Sequence, residues 1–314
     1  KVDSTEIGRE IVMSRNHDYW ADDNGHIETI VMRFVPEQNT QTAELMSGNA
    51  QLIWQVPPDQ AQRMERMPTV DVTIGETMRM GYIQFDSGLE GGPASPVHDP
   101  LVREAIAHAI DRQAIVDNIM GGGQVLNLPC YPTQFGCSAP DAPEYDYDPE
   151  RAKELLTEAG YPDGFEIDFY AYRNRPIAEA VMGYLAEVGI DANLQWLQYS
   201  ALRDALRGGD VDFTFMAWGS SSINDIANST SYFFKGGPDD TTMDPDVIEW
   251  LTAGDSTVDR ERRQENYSKA LTKIMEEVYW VPLTSYAYYY AMSSDLDFTP
   301  TPDEIVHLYE AKWK

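Results

Sequence analysis

The chain is 314 residues long and carries 52 Asp and Glu against 23 Lys and Arg, a net charge of −29. So acidic a surface repels nucleic-acid phosphates and anionic lipid, which argues against both as partners. With 42% apolar and 11% aromatic residues the chain is too hydrophobic to stay disordered, and it is long enough for two lobes.

Taken in chain order, Glu10–Ser14 reads as a strand, followed by a turn at Asp22–Gly25 and a strand Ile27–Val35 with Ile30, Met32 and Phe34 on one face. Gln41–Ser47 reads as a short helix stopped by Gly48, and Gln51–Gln55 as a strand. Met78–Phe85 reads as a crossover strand before the glycine- and proline-rich loop Gly88–Pro100. Asp99–Gly123 has apolar residues at Val102, Ile106, Ala109, Ile110, Ile115, Val116 and Ile119, the spacing of one amphipathic helix. Its terminal Gly121–Gly123 run ends a helix rather than starting one, so it is a cap and not a phosphate cradle.

Cys130 and Cys137 lie close together in NLPCYPTQFGCSAP. A disulfide there closes a small ring worth roughly 2–3 kcal/mol and implies an oxidising compartment. The competing reading, two thiolate metal ligands, needs two further soft ligands, and none lies nearby in sequence. Asp148 then caps a helix Pro149–Ala159 that stops at Gly160. From Gly164 strand Phe165–Tyr172, helix Ile177–Val188, strand Ile190–Leu197, helix Ser200–Arg207 and strand Val211–Ala217 alternate as a doubly wound unit. Helices Pro245–Ala253 and Asp259–Val278 follow, strand character returns over Pro282–Phe298, and Ile305–Trp313 ends the chain.

Catalytic signatures are absent from the sequence. His17, His26, His98, His108 and His307 are scattered, with no zinc-binding helix motif, and neither a nucleophile elbow nor a phosphate loop occurs. Carboxylate pairs such as Asp22-Asp23 and Asp239-Asp240 are too common in so acidic a chain to mark acid–base chemistry, and Asp146–Glu150 offers at most a weak cation site. The sequence therefore predicts no enzyme, no metal centre and no cofactor. No run approaches the ~20 apolar residues of a membrane span, and KVDSTEIGRE has no apolar signal core.

Several strings share one likeness: VREAI followed by AIDRQAIV in the Asp99–Gly123 helix, GREIVMSRNHDYW at Gly8–Trp20, and the strand, glutamine-containing helix and small-Gly-polar stop of Ile27–Asn49. YDPERAKELLTEAGYPDGF at Tyr147–Phe165, LAEVGIDANL at Leu185–Leu194, RGGDVDFTFMAWG at Arg207–Gly219, Asp259–Tyr279 and Val281–Tyr286 continue it. In this order they resemble the family 5 extracellular solute-binding proteins, the peptide- and nickel-type receptors of ABC importers. The resemblance implies an α/β, two-lobed periplasmic-binding-protein-like fold (type II, cluster C) with mixed sheets flanked by helices. Residues 1–81 and 282–314 would form part of lobe I, and 82–281 lobe II with the doubly wound unit at 164–218. In the family the Arg-Asn-x-Asp-Tyr-Trp strand lies well inside the polypeptide, so the chain reads as a C-terminal fragment lacking part of the first lobe.

The function implied is capture of a peptide or peptide-like ligand by lobe closure and delivery to the transmembrane subunits of an ABC permease. The receptor would work as a monomer, periplasmic or extracellular, with any membrane tether in the missing N-terminal part. An oligosaccharide or opine-like ligand, a metal chelate, and a periplasmic sensor role are the rival readings. Ligand groups belong at the C-terminal ends of parallel strands. One such end offers Tyr172, Arg173 and Arg175, whose guanidinium groups suit a ligand carboxylate or, equally, surface acids. The other offers Trp218 as a wall or as core, with Ser220, Asn224 and Asp225, the last for a ligand ammonium group. Peptide-type relatives carry an Asp-Pro near this point, where this chain has Asn224-Asp225-Ile226 and a run of serines.

Overall fold

The computed structural model describes residues 1–20, 26–88 and 94–314. The turn expected at Asp22–Gly25, with its Asp22-Asp23 pair, and the Leu89–Pro93 part of the expected loop lie outside the described residues. The chain divides into two compact units, residues 1–77 with 287–314, and residues 78–286.

In the first unit β1 (Val2–Glu6), β2 (Glu10–Ser14) and β3 (Thr29–Arg33) form an antiparallel sheet in that order. Ile30 and Met32 are half-buried in β3 while Thr29, Val31 and Arg33 are exposed, the period-two alternation of a strand with one wet face. α1 (Gln38–Met46), β4 (Leu52–Val56) and α2 (Pro58–Met64) follow, and Leu45, Ile53, Val56, Ala61, Met64 and Val70 close a small core. β5 (Val70–Phe85) begins at Val70 rather than Met78. Its first half carries exposed Asp71 and Glu76, polar enough to mask strand character in the sequence.

The second unit opens with α3 (Pro100–Ala109), where the Asp99 carboxylate accepts from Leu101 N at 2.9 Å. The single helix expected over Asp99–Gly123 is broken. Ile110 is extended, and the Asp111 carboxylate accepts from Ala114 N at 2.8 Å to cap a second helix, α4 (Arg112–Ile115). α4 runs into a π turn over Val116–Met120 that ends at left-handed Gly121. Arg112 donates to the carbonyls of Leu126, Tyr145 and Pro282, so the break is anchored on three sides. Cys130 and Cys137 are disulfide-bonded, and Asp148 caps α5 (Pro149–Glu158).

The alternating unit is β6 (Phe165–Ala171), α6 (Arg175–Glu187), β7 (Ile190–Trp196), α7 (Tyr199–Arg207) and β8 (Phe213–Trp218), with β6 parallel to both β7 and β8. Gly164 before β6 approaches Gly189 before β7 so closely that a Cβ on Gly164 would lie 1.8 Å from the Gly189 carbonyl oxygen. α8 (Thr230–Phe234), α9 (Pro245–Asp255), α10 (Arg260–Glu276) and β9 (Trp280–Ser293) complete the unit, whose strand order is β9-β5-β8-β6-β7.

Strand alternation divides this unit into two cores, one on each sheet face. Ile83 and Phe85 of β5, Ile167, Phe169 and Ala171 of β6, Phe213 and Phe215 of β8, and Val281 and Leu283 of β9 face α3, α5 and α6. Met80, Tyr82, Tyr170, Met216, Trp218 and Trp280 face the other way, toward α7, α9 and α10. Helices on both faces of a mixed sheet make the α/β, doubly wound architecture expected from the sequence. Back in the first unit, the C-terminal half of β9 pairs antiparallel with β4 (Leu52 opposite Met292), and β10 (Leu296–Asp297) pairs with β11 (Lys312–Trp313). Among the described residues no helix is long and apolar enough to cross a membrane.

Candidate functional site

The parallel strands β6, β7 and β8 all deliver their C-terminal ends to one edge of the second unit's sheet, where open α/β sheets bind ligands. Pairs of aromatic rings collect there. Tyr172, just past β6, lies 5.0 Å from Tyr199 at the start of α7, and its hydroxyl donates to the Ala217 carbonyl at 3.2 Å. Trp218, at the end of β8, stacks on Tyr232 at 5.0 Å and an interplanar angle of 16°, with its indole N–H donating to the Asn228 carbonyl at 3.1 Å. Tyr199 and Tyr232 are 37% and 40% exposed, so both ring pairs, the first tilted and the second stacked, present ring surface to solvent.

Arg203 joins the two ring pairs. Its guanidinium donates to the hydroxyls of Tyr199 at 3.3 Å and Tyr232 at 2.7 Å, and forks onto the Asp239 carboxylate. Asp239 also accepts from Arg207 at 3.0 and 3.1 Å and from the Tyr232 hydroxyl at 3.0 Å. Burial pushes the Asp239 carboxyl up, but the hydrogen bonds from Arg203, Arg207 and Tyr232 outweigh it and hold its pKa below the usual value. The hydrogen bond to Asp239 in turn leads the effects that raise the Arg203 pKa. Beneath this network Tyr82 is fully buried, stacked on Trp280 at 3.6 Å, and its hydroxyl has no hydrogen-bond partner among the described residues. Burial, then the neighbouring Tyr172 and Tyr199, raise the Tyr82 pKa well above its usual value.

The residues singled out from sequence divide. Tyr172, Arg173 and Trp218 stand at this edge. Arg173 lies over the Tyr286 ring at 5.2 Å and the Tyr172 ring at 6.0 Å, and its Nε donates to Asn174 Oδ1 at 2.9 Å. Asn174 itself is left-handed, with φ 52°, an uncommon geometry for a non-glycine residue. Ser220 is buried, and its Oγ has no hydrogen-bond partner among the described residues. Arg175 instead pairs with Glu179 one helical turn on, at 2.8 Å, in an exposed ion pair. Asn224 is exposed, and its carbonyl accepts from Phe135 N at 3.1 Å. Asp225 is ion-paired with Arg263 at 3.0 Å and accepts from Ala227 N at 3.0 Å, so its charge is neutralised within the fold. Sequence reading missed Tyr82, Tyr199, Arg203 and Tyr232, and set Asp239 aside as one of many carboxylate pairs. The Tyr199 and Arg203 spacing along α7 was the one signal available.

The first unit holds a cavity of about 640 Å³, lined by residues that include Ile30, Met32, Ile53, Leu308 and Trp313. Two of its charged lining residues, Arg33 and Glu44, pair with each other at 3.0 Å. A cavity by itself does not mark a ligand site, and the convergence of rings, an arginine and unpartnered hydroxyls favours the strand ends.

Residues 1–240 match the family model described as bacterial extracellular solute-binding proteins, family 5 Middle. The chain belongs to that family. Among its family 5 relatives, Heme-binding protein A of Haemophilus influenzae is 25% identical over 278 residues, covering 82% of this chain and 48% of the relative. Glutathione-binding protein GsiB of Escherichia coli K12 is 27% identical over 280 residues, covering 84% and 54%. The chain thus spans about half the length of the curated relatives it matches. The periplasmic binding protein DppA of Helicobacter pylori, solved with the peptide STSA, superposes with a TM-score of 0.82 at 23% identity, over 100% of this chain and 62% of that one. The fold is therefore that of the two-lobed family 5 proteins.

Proposed function

We propose that this protein is the solute-binding component of an ABC importer, holding a peptide or peptide-like ligand against the aromatic edge of its second unit and delivering it to the permease. It acts as a monomer in the periplasm or outside the cell, without covalent chemistry. The observation that carries this reading is the two half-exposed ring pairs, Tyr172–Tyr199 tilted at 48° and Trp218–Tyr232 stacked, bridged by Arg203 at the strand ends. Rings of this kind offer apolar area and directional stacking to a ligand of mixed polarity, worth about 0.5–1.5 kcal/mol per aromatic pair beyond burial. The hydroxyls of Ser220 and Tyr82 are polar groups that a buried water or a ligand would satisfy. The names of the relatives, which include glutathione-binding and peptide-bound proteins, agree with a peptide-like ligand. Asp225, neutralised by Arg263, is not the ammonium clamp in this reading.

Native mass spectrometry tests the proposal, with the purified protein exposed separately to a tripeptide pool, glutathione and heme. A retained mass of tripeptide or glutathione size, released on denaturation and lost in Trp218→Ala, is the expected result. Retention of heme alone, or of nothing, overturns it.

A further inference from the structure

Asp86, His98 and Asp212 lie in the second unit at the other end of the sheet from the aromatic edge. Asp86 follows β5 and Asp212 precedes β8, and the Asp86 amide donates to the Asp212 carbonyl at 2.8 Å, which fixes the two carboxylates side by side. His98 closes the 3₁₀ turn Pro96–His98 that leads into α3. One donor atom from each of the three side chains lies within 4.8 Å of the others, and all three residues are half-buried. We propose that this cluster is a divalent-cation site, of the zinc type, that clasps the end of β5, the start of β8 and the approach to α3.

Three observations carry the assignment. The His98 Nε2 is shielded from solvent and has no hydrogen-bond partner among the described residues. A buried imidazole nitrogen without a partner is costly, and coordination is one of the few ways to satisfy it. Second, two carboxylates held together in a half-buried site of a chain with net charge −29 repel each other and call for positive charge. Among the described residues neither Asp86 nor Asp212 makes an ion pair within 4.0 Å. The nearby buried Arg103 feels the Asp86 charge without pairing with it, its hydrogen bonds going to the carbonyls of Val97, His98 and Glu277. Third, the surroundings orient the ligands as outer groups around metals do. The Gly88 amide donates to Asp86 Oδ1 at 2.9 Å. Gly88 also packs so tightly on the imidazole that a Cβ there would lie 2.6 Å from His98 Cγ and Nδ1.

The donor set chooses the metal class. One imidazole and two carboxylates suit a borderline ion with open positions for water, whereas calcium and magnesium favour all-oxygen shells. Asp212 is the second aspartate of the Gly-Asp-x-Asp strand motif, a residue for which the ligand reading has no use.

The test is calorimetric titration of the protein, stripped with chelator, with zinc chloride alone and in parallel with calcium chloride. Thermal melts with and without zinc accompany it. The expected result is one saturable zinc equivalent per chain and a raised melting temperature. Zinc affinity should fall at least tenfold in both His98→Ala and Asp212→Asn, while His307→Ala leaves it unchanged. The near-isosteric Asp212→Asn, checked by circular dichroism, guards against misfolding of His98→Ala. Absence of a saturable equivalent in the folded protein overturns the site, as does undiminished binding in folded Asp212→Asn. A site filled by calcium and indifferent to zinc overturns the zinc-type assignment.

Discussion

The same strands of the second unit end in opposite chemistries. β8 leaves Asp212 at one end and reaches Trp218 at the other, and β5, antiparallel to it, sets Phe85 opposite Phe213 and Met80 opposite Trp218. At the Trp218 end the side chains are rings and guanidinium groups, which the proposed function assigns to a ligand that stacks. At the Asp212 end they are carboxylates and an imidazole, the donor set of the proposed cation site. On the proposed reading, the open sheet offers a binding surface at one edge and leaves the other free for a clasp. Substitution of the ring Trp218 at one end and of Gly88 beside the cluster at the other should therefore separate affinity from stability.

The largest effect is expected from Asp239→Ala, which strips the acceptor from Arg203, Arg207 and Tyr232 at the aromatic end. Breaking a buried pair costs about 3–5 kcal/mol, a drop in Tm on the order of 10 °C in a scanning calorimeter. Asp239 also sets a pH signature. Its folded pKa lies below the unfolded value, so its contribution is complete above the ordinary carboxylate pKa and is lost as pH falls through the lowered one. Urea melts across the acid range should show this loss in the wild type and a shallower one in the variant.

Trp218→Ala should weaken tripeptide binding by roughly 30-fold, as loss of an interface anchor worth about 2 kcal/mol. A titration that leaves affinity unchanged would break the division between the two ends. Gly88→Ala places a side chain at φ 71° and against His98, and should cost roughly 1–3 kcal/mol of stability with tripeptide affinity untouched. The smallest effect is expected from Arg175→Ala. Its exposed pair with Glu179 is worth about 0.5 kcal/mol or less, and ligand affinity should not move.

What was legible in the sequence follows from distance along the chain. The β6–β8 alternation is read from local periodicity and from the glycines that punctuate it, and the Cys130–Cys137 pair is separated by only 7 positions. The break at Ile110 was hidden because apolar spacing continues through it, while the decisive contacts of Arg112 reach as far as Pro282. Asp225 read as a free acid because its neutralising partner, Arg263, lies 38 positions on. Arg203 meets Asp239 only once α7 packs beside the segment after α8, and Asp86 meets Asp212 only through the pairing of β5 with β8. Contacts that tertiary structure creates between distant residues leave no spacing to read.

The central claim is that ligand lies on the aromatic edge of the second unit, and photo-crosslinking tests it most directly. A tripeptide carrying a photoreactive phenylalanine analogue, irradiated with the protein and mapped by peptide mass spectrometry, should label residues in 172–174, 196–203 or 218–232. Labelling confined to residues 29–35 and 49–55, around the cavity of the first unit, would contradict the account.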